Sequence, residues 1–530
     1  MTTYDAIVVG AGPNGLVAAN HLVDAGWSVL VLEAQPEPGG AVRSDREVHP
    51  DFVHDTFSSF YPLAAASPTI RSLRLEDHGL TWRHAPAVVG HQGPDGRWAL
   101  LHLERELTAA SLDELEPGDG DAWLALCAQW DRIGPHVIGA LLTPFPPVRH
   151  GLGALMRLPG AGGLGLVRDL LMPVADLVRL RFRSEGARLL VAGNASHADI
   201  PMAAPGSGLF GVLMVMMAQT VGFPVPEGGA GELTAALTSR LRSKGGELLC
   251  GAEVTRIEVD GRRVTAVRTA SGDRFESPVV VADVVAPRLF GDLVRTEDLP
   301  DRIRKGMRAF QLDPGTVKVD WALSGPVPWR TPPSHAPGTV HVAASTTELS
   351  RTTEQCQNRT VPDRPFLLVG QMTTTDPSRS PAGSESLWAY SHVPQDVERD
   401  AGDEGIAGRW DRAECERYAD RMQARLEDLA PGFGDTVQAR RVLGPREFEE
   451  RDANLVGGAI NGGTAQLHQQ LVFRPVPGMG RAETGIRGLY LGSASAHPGG
   501  GVHGAAGMNA ARAALAHHRL GALGRRTSRS

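Results

Sequence analysis

The chain has 530 residues, 42% of them hydrophobic and 21% charged, and a formal net charge of −7. This is the composition of a globular protein, and at roughly 150 residues per domain it allows three or four compact units, or fewer interleaved ones. The acidic balance, with no long block of like charge, argues against a nucleic-acid partner.

The cysteines and the N-terminus indicate the compartment. The four cysteines, Cys127, Cys250, Cys356 and Cys415, lie far apart and none has CxxC spacing. We therefore predict neither a disulfide framework nor a redox-active dithiol, and we predict no metal site. Since no basic segment followed by an apolar run opens the chain, we expect no signal peptide and a cytoplasmic protein.

The first predicted elements form a nucleotide-binding unit. Residues 5–9 are a short run rich in β-branched residues, as in a buried parallel strand, and residues 10–15 read GAGPNG. A helical pattern follows over residues 16–25 and ends at Gly26, which is typical of a helix C-cap. A second strand, residues 28–32, ends at an acidic residue.

Each residue of this motif has a physical task. Gly10 permits a tight turn, Gly12 lets the backbone approach a pyrophosphate, and Gly15 lets the helix pack on the strand. The helix N-terminus offers free N–H donors to the phosphates. Glu33 follows about twenty residues on and is suited to accept hydrogen bonds from ribose hydroxyls, which argues against a 2′-phosphate there.

A second glycine pair distinguishes the candidate dinucleotides. Gly39, Gly40 and Arg43 follow soon after Glu33 and extend the phosphate cradle, which favours the longer ligand FAD over NAD. The alternative is a surface turn with a solvated arginine. With these residues the chain resembles the amine oxidase and carotenoid desaturase superfamily of flavoproteins, in which the glycine pair and the arginine lie along the pyrophosphate and flavin.

Two later segments are easily misread. Residues 160–165 also match GxGxxG, but no strand precedes them and no acid follows at the right distance, so we predict a loop. Residues 206–225 are the most apolar stretch, yet they are interrupted by Gln219, Thr220 and Pro224. About twenty unbroken apolar residues are needed to span a bilayer, so we predict a buried helix, either packed in the core or lining a substrate tunnel.

The middle of the chain predicts further parts of the same fold. A helix opens near residue 230 and runs to about Ser243, and a hairpin-rich stretch follows over residues 246–268. Residues 275–285 return as one buried strand. In the resembled family the segment holding Val254 contacts adenine through its backbone.

The carboxyl-terminal part carries a second strand–glycine loop–helix unit. A strand at residues 489–492, ending at Gly492, precedes a loop with three consecutive glycines, residues 499–501, and a helix near residues 510–517. The loop resembles the flavin-capping motif of phytoene desaturase-like proteins. The resemblance implies that Gly500, Gly501, Val502 and His503 lie at the flavin, where backbone N–H groups stabilise negative charge. The alternative is tight packing of a last helix.

The predicted fold class is α/β, a discontinuous Rossmann-like FAD-binding domain with an inserted α+β substrate domain. We assign residues 1–80, 225–295 and 455–520 to the FAD-binding domain. Residues 81–224 and 296–454 form the predicted substrate or cap domain, and residues 521–530 a flexible tail. The resemblance covers nearly the whole chain and points to the phytoene dehydrogenase-related branch, which includes proteins named as pyridine nucleotide-disulfide oxidoreductase domain-containing.

The flavin carries the redox chemistry, so acid–base residues are only weakly indicated. His54 and Tyr61 follow the cradle in sequence, and His503 lies in the glycine loop. Among 18 histidines most are structural or exposed, and the catalytic residues stay unassigned.

Three functions are compatible with these motifs. The first is an FAD-dependent dehydrogenase or desaturase that passes hydride from a lipophilic, isoprenoid-like substrate to flavin N5, with a quinone or oxygen as the electron acceptor. The second is a flavin oxidase of an amine or other small metabolite, or a related non-redox isomerase. The third is an FAD-binding interaction protein without turnover. We keep open a peripheral membrane contact and a homodimer.

Overall fold

The computed structural model describes residues 3–527 of the chain. Its first sheet has five parallel strands. The inner strands carry only Val, Ile, Leu and Ala because both faces are covered, one by helices and the other by a small antiparallel sheet and the segment that follows it. In spatial order the strands are Leu489–Leu491, Val280–Ala282, Ala6–Val9, Val29–Leu32 and Glu247–Leu249. Strands from opposite ends of the chain therefore lie in one sheet, two positions apart.

Three helices flank this parallel sheet and bring distant segments together. They are Pro13–Asp24, Gly231–Ser243 and Ala505–Thr527. The first and the last pack directly on each other: a side chain at Gly507 would overlap the carbonyl oxygen of Asn14, and one at Gly504 would lie 2.8 Å from Val17 Cγ2. Glycine at both positions is what allows the two helices this close an approach.

A small antiparallel sheet lies next to the parallel one. Its strands are Val254–Asp260, Arg263–Thr269 and Arg274–Glu276, which confirms the predicted hairpin. The prediction of a single strand over residues 275–285 is wrong: Arg274–Glu276 belongs to this sheet and Val280–Ala282 to the parallel one. Pro278 lies at the break, where its missing N–H ends the ladder.

The largest sheet has seven strands and lies in the regions predicted for the substrate domain. Its order is Val437–Leu443, Gly315–Leu323, Glu385–Val393, Leu367–Gln371, Pro337–Val342, Ala87–Gln92 and Trp98–Leu101. One face packs on helix Arg412–Leu429 through Val317, Val319 and Trp321. The other face carries polar and aromatic residues, with Lys318 paired to Tyr390 across the ladder.

Of the seven helices between residues 105 and 220, the first, the sixth and the seventh contact this sheet. In chain order the seven are Arg105–Asp113, Asp119–Leu142, Val148–Arg157, Gly163–Leu171, Val174–Arg181, Glu185–Ala195 and Ser207–Thr220. The last confirms the predicted buried helix, and Met214, Met216 and Met217 lie in a hydrophobic core. Its Gln219 is satisfied internally, accepting from Trp123 Nε1 at 2.8 Å. No helix in the described part of the chain is long and apolar enough to cross a membrane.

The remaining elements are short. Three strand pairs are Ser44–Asp45 with His54–Asp55, Trp82–Arg83 with Val225–Pro226, and Thr360–Val361 with Arg399–Asp400. Short helices connect the larger elements: Pro62–Ala66, Pro68–Ser72, Ala286–Arg288, Asp301–Gly306, Thr346–Gln357, Met372–Thr375, Phe433–Thr436 and Pro445–Arg451.

One local prediction needs correction. Residues 160–165 are not a plain loop, because Pro159–Ala161 is a 3₁₀ turn and Gly163 begins a helix. The final helix is described as far as Thr527, and residues 528–530 of the predicted tail lie outside the described residues. The α/β Rossmann-like class is confirmed, whereas the domain boundaries stay a prediction.

Candidate functional site

The opening glycine turn, residues 10–15, joins strand Ala6–Val9 to helix Pro13–Asp24 at the carboxyl edge of the parallel sheet. Gly10 has φ +95°, a conformation that favours glycine. A Cβ at Gly12 would lie 2.8 Å from Asp283 Oδ2, and one at Gly15 would overlap the Gly10 carbonyl oxygen. All three glycines are therefore needed for this turn, as the sequence predicts.

Glu33 lies directly beside that turn. Its carboxylate accepts hydrogen bonds from the backbone N–H of Ala11 at 2.7 Å and of Gln35 at 2.9 Å. The side chain is buried, and this burial raises the pKa of the Glu33 carboxyl above its ordinary value despite the two N–H donors. The sequence position of this acid and its place in the structure agree.

The second glycine pair packs on the first turn. Gly39 N–H donates to the Ala11 carbonyl oxygen at 2.9 Å, and a Cβ at Gly40 would lie 3.2 Å from Gly12 Cα. Arg43 extends from the same segment over the ring of Phe57, 5.4 Å from its centre. The second glycine pair is thus in contact with the opening glycine turn and is not a separate surface turn.

The stretch before Val254 runs alongside Glu33. Ala252 N–H donates to the Glu33 carbonyl oxygen at 2.8 Å, and Gly251 N–H to that of Gln35 at 3.0 Å. Val254 itself is buried at the start of strand Val254–Asp260. The backbone predicted to contact adenine thus lies next to the acid predicted to bind the ribose.

The carboxyl-terminal glycine loop, residues 499–504, reaches the same region. Gly501 has φ +102°, and a Cβ there would lie 2.5 Å from Leu63 Cδ1. A Cβ at Gly500 would lie 2.6 Å from Asn461 Oδ1. Gly492 ends the strand before the loop, where its N–H donates to the Ala282 carbonyl oxygen at 2.8 Å. Val502, partly buried, follows Gly501 within the loop.

Because helices Pro13–Asp24 and Ala505–Thr527 are in contact, the two glycine loops that precede them lie side by side. This is the arrangement that the sequence predicts from the two halves of the motif.

Five of the 25 buried side-chain polar atoms that lack a hydrogen-bond partner in the described residues lie on or close to these loops. They are Asn14 Oδ1, Arg43 Nε, Asn461 Nδ2, His503 Nε2 and Asn509 Nδ2. An unpaired buried polar group costs about 1–3 kcal/mol. A polar ligand bound at the loops would pair with these five atoms.

Two carboxyls at this site were missed by the sequence analysis. Asp283 follows strand Val280–Ala282, and its Oδ2 accepts from Gly15 N–H at 2.8 Å. Asp452 lies beside Gly40, with Oδ2 3.3 Å from a Cβ there. Burial raises the pKa of both carboxyls, that of Asp283 to about 8. The signal for Asp283 is its place at the carboxyl end of a parallel strand, where such sheets bind ligands.

The three weak catalytic candidates are all engaged in structural hydrogen bonds. His54 Nε2 lies 3.1 Å from the Trp321 carbonyl oxygen, and the Tyr61 hydroxyl donates to the Ser58 carbonyl oxygen at 2.8 Å. His503 Nδ1 accepts from Ala505 N–H at the start of the last helix, so its proton is on Nε2. Burial lowers the pKa of His503 to about 4 and lowers that of His54, so both rings are neutral at pH 7.

A buried ionic network joins the cradle to the seven-stranded sheet. Arg379 donates to both carboxylate oxygens of Asp55 at 3.0 and 3.2 Å and to Asp376 at 3.0 Å. Lys318 donates to the Asp55 carbonyl oxygen at 2.9 Å and pairs with Asp320. The sequence gives no local signal for these partners, which come from distant parts of the chain.

Known proteins share the whole length of this chain. Residues 8–73 match the family model of an NAD(P)-binding Rossmann-like domain. The mouse pyridine nucleotide-disulfide oxidoreductase domain-containing protein 2 is 28% identical over 96% of this chain and 92% of its own length. Prolycopene isomerase 1 of an Oncidium hybrid is 25% identical, covering 94% and 81% of the two chains. A phytoene desaturase of Rhodobacter capsulatus is 24% identical, covering 94% and 91%.

The chain is a homologue of the phytoene desaturase-like oxidoreductases. Solved structures agree on the fold. An oxidoreductase of Methanosarcina mazei matches with a TM-score of 0.62 at 15% identity over 96% of this chain and 99% of its own. A triple mutant of putrescine oxidase matches with a TM-score of 0.60 at 18% identity over 98% and 99%.

Like its phytoene desaturase-like homologues, the chain is an oxidoreductase with a Rossmann-type dinucleotide-binding unit. Within the described residues no group of three or more His, Cys, Asp or Glu side chains is placed to hold a metal ion.

Proposed function

We propose that the protein is an FAD-dependent dehydrogenase or desaturase acting on a lipophilic, isoprenoid-like substrate. The observation that carries the proposal is the convergence of the opening glycine turn and the carboxyl-terminal glycine loop, with unpartnered polar atoms from both. A ligand that ends at the adenine and ribose side would leave the second loop unused. A longer dinucleotide with a flavin accounts for both loops.

The proposed binding residues divide along the length of the ligand. Val254 and Glu33 bind the adenosine. The pyrophosphate is bound by the two glycine segments and the arginine, which are Gly10, Gly12, Gly15, Gly39, Gly40 and Arg43. The flavin is bound by the carboxyl-terminal loop and the strand end before it, which contribute Gly492, Gly500, Gly501, Val502 and His503. The helix N-termini that follow the two loops direct N–H donors at the phosphates and at the flavin carbonyl. When bound, FAD supplies the two-electron acceptor for hydride from a substrate C–H bond.

The residues near the flavin loop hold and orient rather than transfer protons. His503 is neutral at pH 7, and its Nε2–H is buried without a hydrogen-bond partner, so it is available to donate to a ligand. Leu63 packs against Gly501. Close to Leu63 in sequence, Phe60 lies 5.9 Å from the ring centre of Trp388 and 6.4 Å from that of Phe223. This aromatic cluster supports an apolar substrate and excludes water from the redox centre.

A second candidate is oxidation of an amine or other small metabolite. Trp388 and Tyr390 stack with ring centres 5.9 Å apart on the polar face of the seven-stranded sheet, and Tyr390 lies 5.5 Å from His392. Such a polar aromatic wall suits a small polar substrate better than a hydrocarbon chain. We propose a quinone or oxygen as electron acceptor for either substrate. The cytoplasmic location and the homodimer stay predictions.

The test starts with the absorbance spectrum of the purified protein, which is expected to be that of a flavoprotein. Gly12→Val is expected to give colourless protein, because its side chain would collide with Asp283 and block the pyrophosphate. A fully flavin-loaded Gly12→Val variant would contradict the assignment. Gly325→Val, at a position without a positive φ and with nothing within 4 Å of the new Cβ, serves as the matched control and should stay yellow.

Substrate class is tested by anaerobic bleaching of the bound flavin. Carotenoid precursors and other polyprenyl compounds in detergent are expected to bleach it, and small amines are not. Bleaching by amines, together with release of hydrogen peroxide in air, would favour the second candidate.

A further inference from the structure

One helix of the protein has its large apolar side chains on the solvent-exposed face. In Val148–Arg157 the large apolar side chains Val148, Leu152, Leu155 and Met156 are 55–71% exposed. Its only buried residue is Gly153, where a Cβ would lie 2.5 Å from His136 Nδ1 on the neighbouring helix. A surface helix normally faces the core with its apolar stripe, so this helix has its apolar side chains free for another apolar phase.

The exposed apolar surface continues beyond this helix. On helix Gly163–Leu171, Leu164 is 83% and Leu171 59% exposed. The Leu171 carbonyl oxygen accepts from Gly206 N–H, and Gly206 in turn contacts Leu467. Residues 467–473 add further exposed apolar side chains, the last of them Phe473. We call the two helices and this segment the apolar patch. It holds nine of the fourteen exposed large apolar side chains in the described residues.

Charge around the apolar patch is positive. Between residues 143 and 172 the charged side chains are Arg149, Arg157, Arg168 and Asp169, beside one histidine. Asp169 is buried and paired with Arg168 and Arg181, so no carboxylate is exposed there. Residues 467–473 contain no acid. The chain as a whole carries −7, which makes this basic, apolar surface an exception on an acidic protein.

We propose that the apolar patch docks on the surface of a lipid bilayer that contains anionic lipids. Exposed leucines with arginines at their border are the composition of helices that lie in the membrane interface. The alternative occupant is a second copy of this chain. A symmetric dimer through this face would bring arginines from both copies onto a surface without exposed carboxylates, which disfavours it.

Docking at this face would bring the cofactor site near the lipid. Arg474, directly after Phe473, is fully buried and donates to the Ala494 carbonyl oxygen at 2.8 Å. Its guanidinium carbon would lie 3.4 Å from a Cβ at Gly499 in the carboxyl-terminal glycine loop. The lipid-facing segment and the proposed flavin loop are thus in contact. The docking itself does not depend on FAD being the cofactor.

Flotation of the full-length protein with lipid vesicles tests the proposal. Protein should float with vesicles of phosphatidylcholine and phosphatidylglycerol, and less with phosphatidylcholine alone. Leu152→Ser/Leu155→Ser/Met156→Ser should lower the partition coefficient at least about tenfold, since three apolar side chains no longer leave water. Arg149→Gln/Arg157→Gln should lower it about fivefold per arginine on anionic vesicles only, and high salt should imitate this change.

The matched control changes exposed leucines elsewhere. Leu107→Ser/Leu249→Ser removes side chains that are 44% and 43% exposed but lie outside the apolar patch, and it should float like the wild type. Equal melting temperatures check that all variants fold. Wild-type protein that stays at the bottom with both vesicle types overturns the proposal. So does a concentration-dependent dimer that the triple serine variant abolishes while neither form floats, because a second copy then covers the patch.

Discussion

Buried carboxyls are arranged differently beside the two large sheets. Next to the parallel sheet, Glu33, Asp283 and Asp452 accept hydrogen bonds from backbone N–H groups but form no ion pair with a described side chain. Next to the seven-stranded sheet, Asp55 is paired with Arg379 and Asp320 with Lys318. Burial raises the pKa of all three carboxyls in the first group. The pKa of Asp320 is instead lowered, because the charges of Lys318 and Arg441 outweigh the effect of burial.

This difference distinguishes a candidate ligand site from a buried ionic network with a structural role. Unpaired buried groups cost free energy, and they are retained where a bound molecule completes their hydrogen bonds. Paired buried charges are costly to break but make no demand on a ligand. The cradle therefore has buried polar groups that a bound ligand can complete, whereas the ionic network joins the cradle to the seven-stranded sheet. Three substitutions test this contrast.

Breaking the buried ionic network should have the largest effect on the free energy of unfolding. Arg379→Leu leaves Asp55 and Asp376 buried without their guanidinium partner, so we expect the free energy of unfolding to fall by about 3–5 kcal/mol. Guanidinium chloride unfolding followed by circular dichroism measures it. Arg412→Leu, which removes an exposed pair with Glu416, should cost within about 1 kcal/mol. Equal losses of stability in the two variants would show that the buried ion pairs of Arg379 contribute no more than an exposed pair.

The second-largest effect is expected from a substitution that separates the two glycine loops. The methyl group of Gly507→Ala would overlap the carbonyl oxygen of Asn14. We expect a loss of about 3 kcal/mol in stability, as for an over-packed core. Flavin retention on desalting should fall as well, because helices Pro13–Asp24 and Ala505–Thr527 hold both loops. Gly165→Ala, inside a helix with nothing within 4 Å, should instead gain about 0.5–1 kcal/mol. Unchanged flavin retention in Gly507→Ala would contradict the shared cradle.

The smallest effect should be a pH dependence from Asp283. Its pKa is raised from 3.8 to about 8 in the folded protein, so the folded state holds a proton that the unfolded state has lost over most of that range. Stability of the ligand-free protein should therefore decrease as pH rises, by about 2 kcal/mol between pH 6 and 8.

Asp283→Asn replaces the titrating carboxyl with an amide, so the stability of the variant should decrease less between pH 6 and 8 than that of the wild type. Below pH 4 the substitution should change the pH dependence of stability little. Urea unfolding of the two apoproteins at several pH values measures the difference. The variant should also retain FAD better above pH 8, where the wild-type carboxylate becomes negative beside the proposed pyrophosphate. Parallel pH curves for wild type and variant would show that Asp283 does not titrate in this range.

Local rules of the chain determined much of the cofactor site. The glycine turn at residues 10–15 is readable because a tight turn, close approach and helix packing each demand glycine at a fixed offset. Glu33 is readable because the length of a strand–helix–strand unit fixes where its second strand ends. The carboxyl-terminal strand–glycine loop–helix unit is readable as a pattern, whereas its place at a flavin is what the family resemblance implies and stays a prediction. Helix Ser207–Thr220 follows from its apolar run over residues 208–218, which ends at Gln219 and Thr220.

Only the tertiary structure decided which distant groups meet. Gly15 and Asp283 are 268 positions apart, and Asp55 and Arg379 are 324 apart, yet each pair is in hydrogen-bond contact. Electrostatic interaction depends on distance through space, so neither a carboxylate nor an arginine shows its partner in the local sequence. The apolar side chains of Val148–Arg157 likewise resemble any core-facing stripe until the packing of Gly153 shows that they face outward.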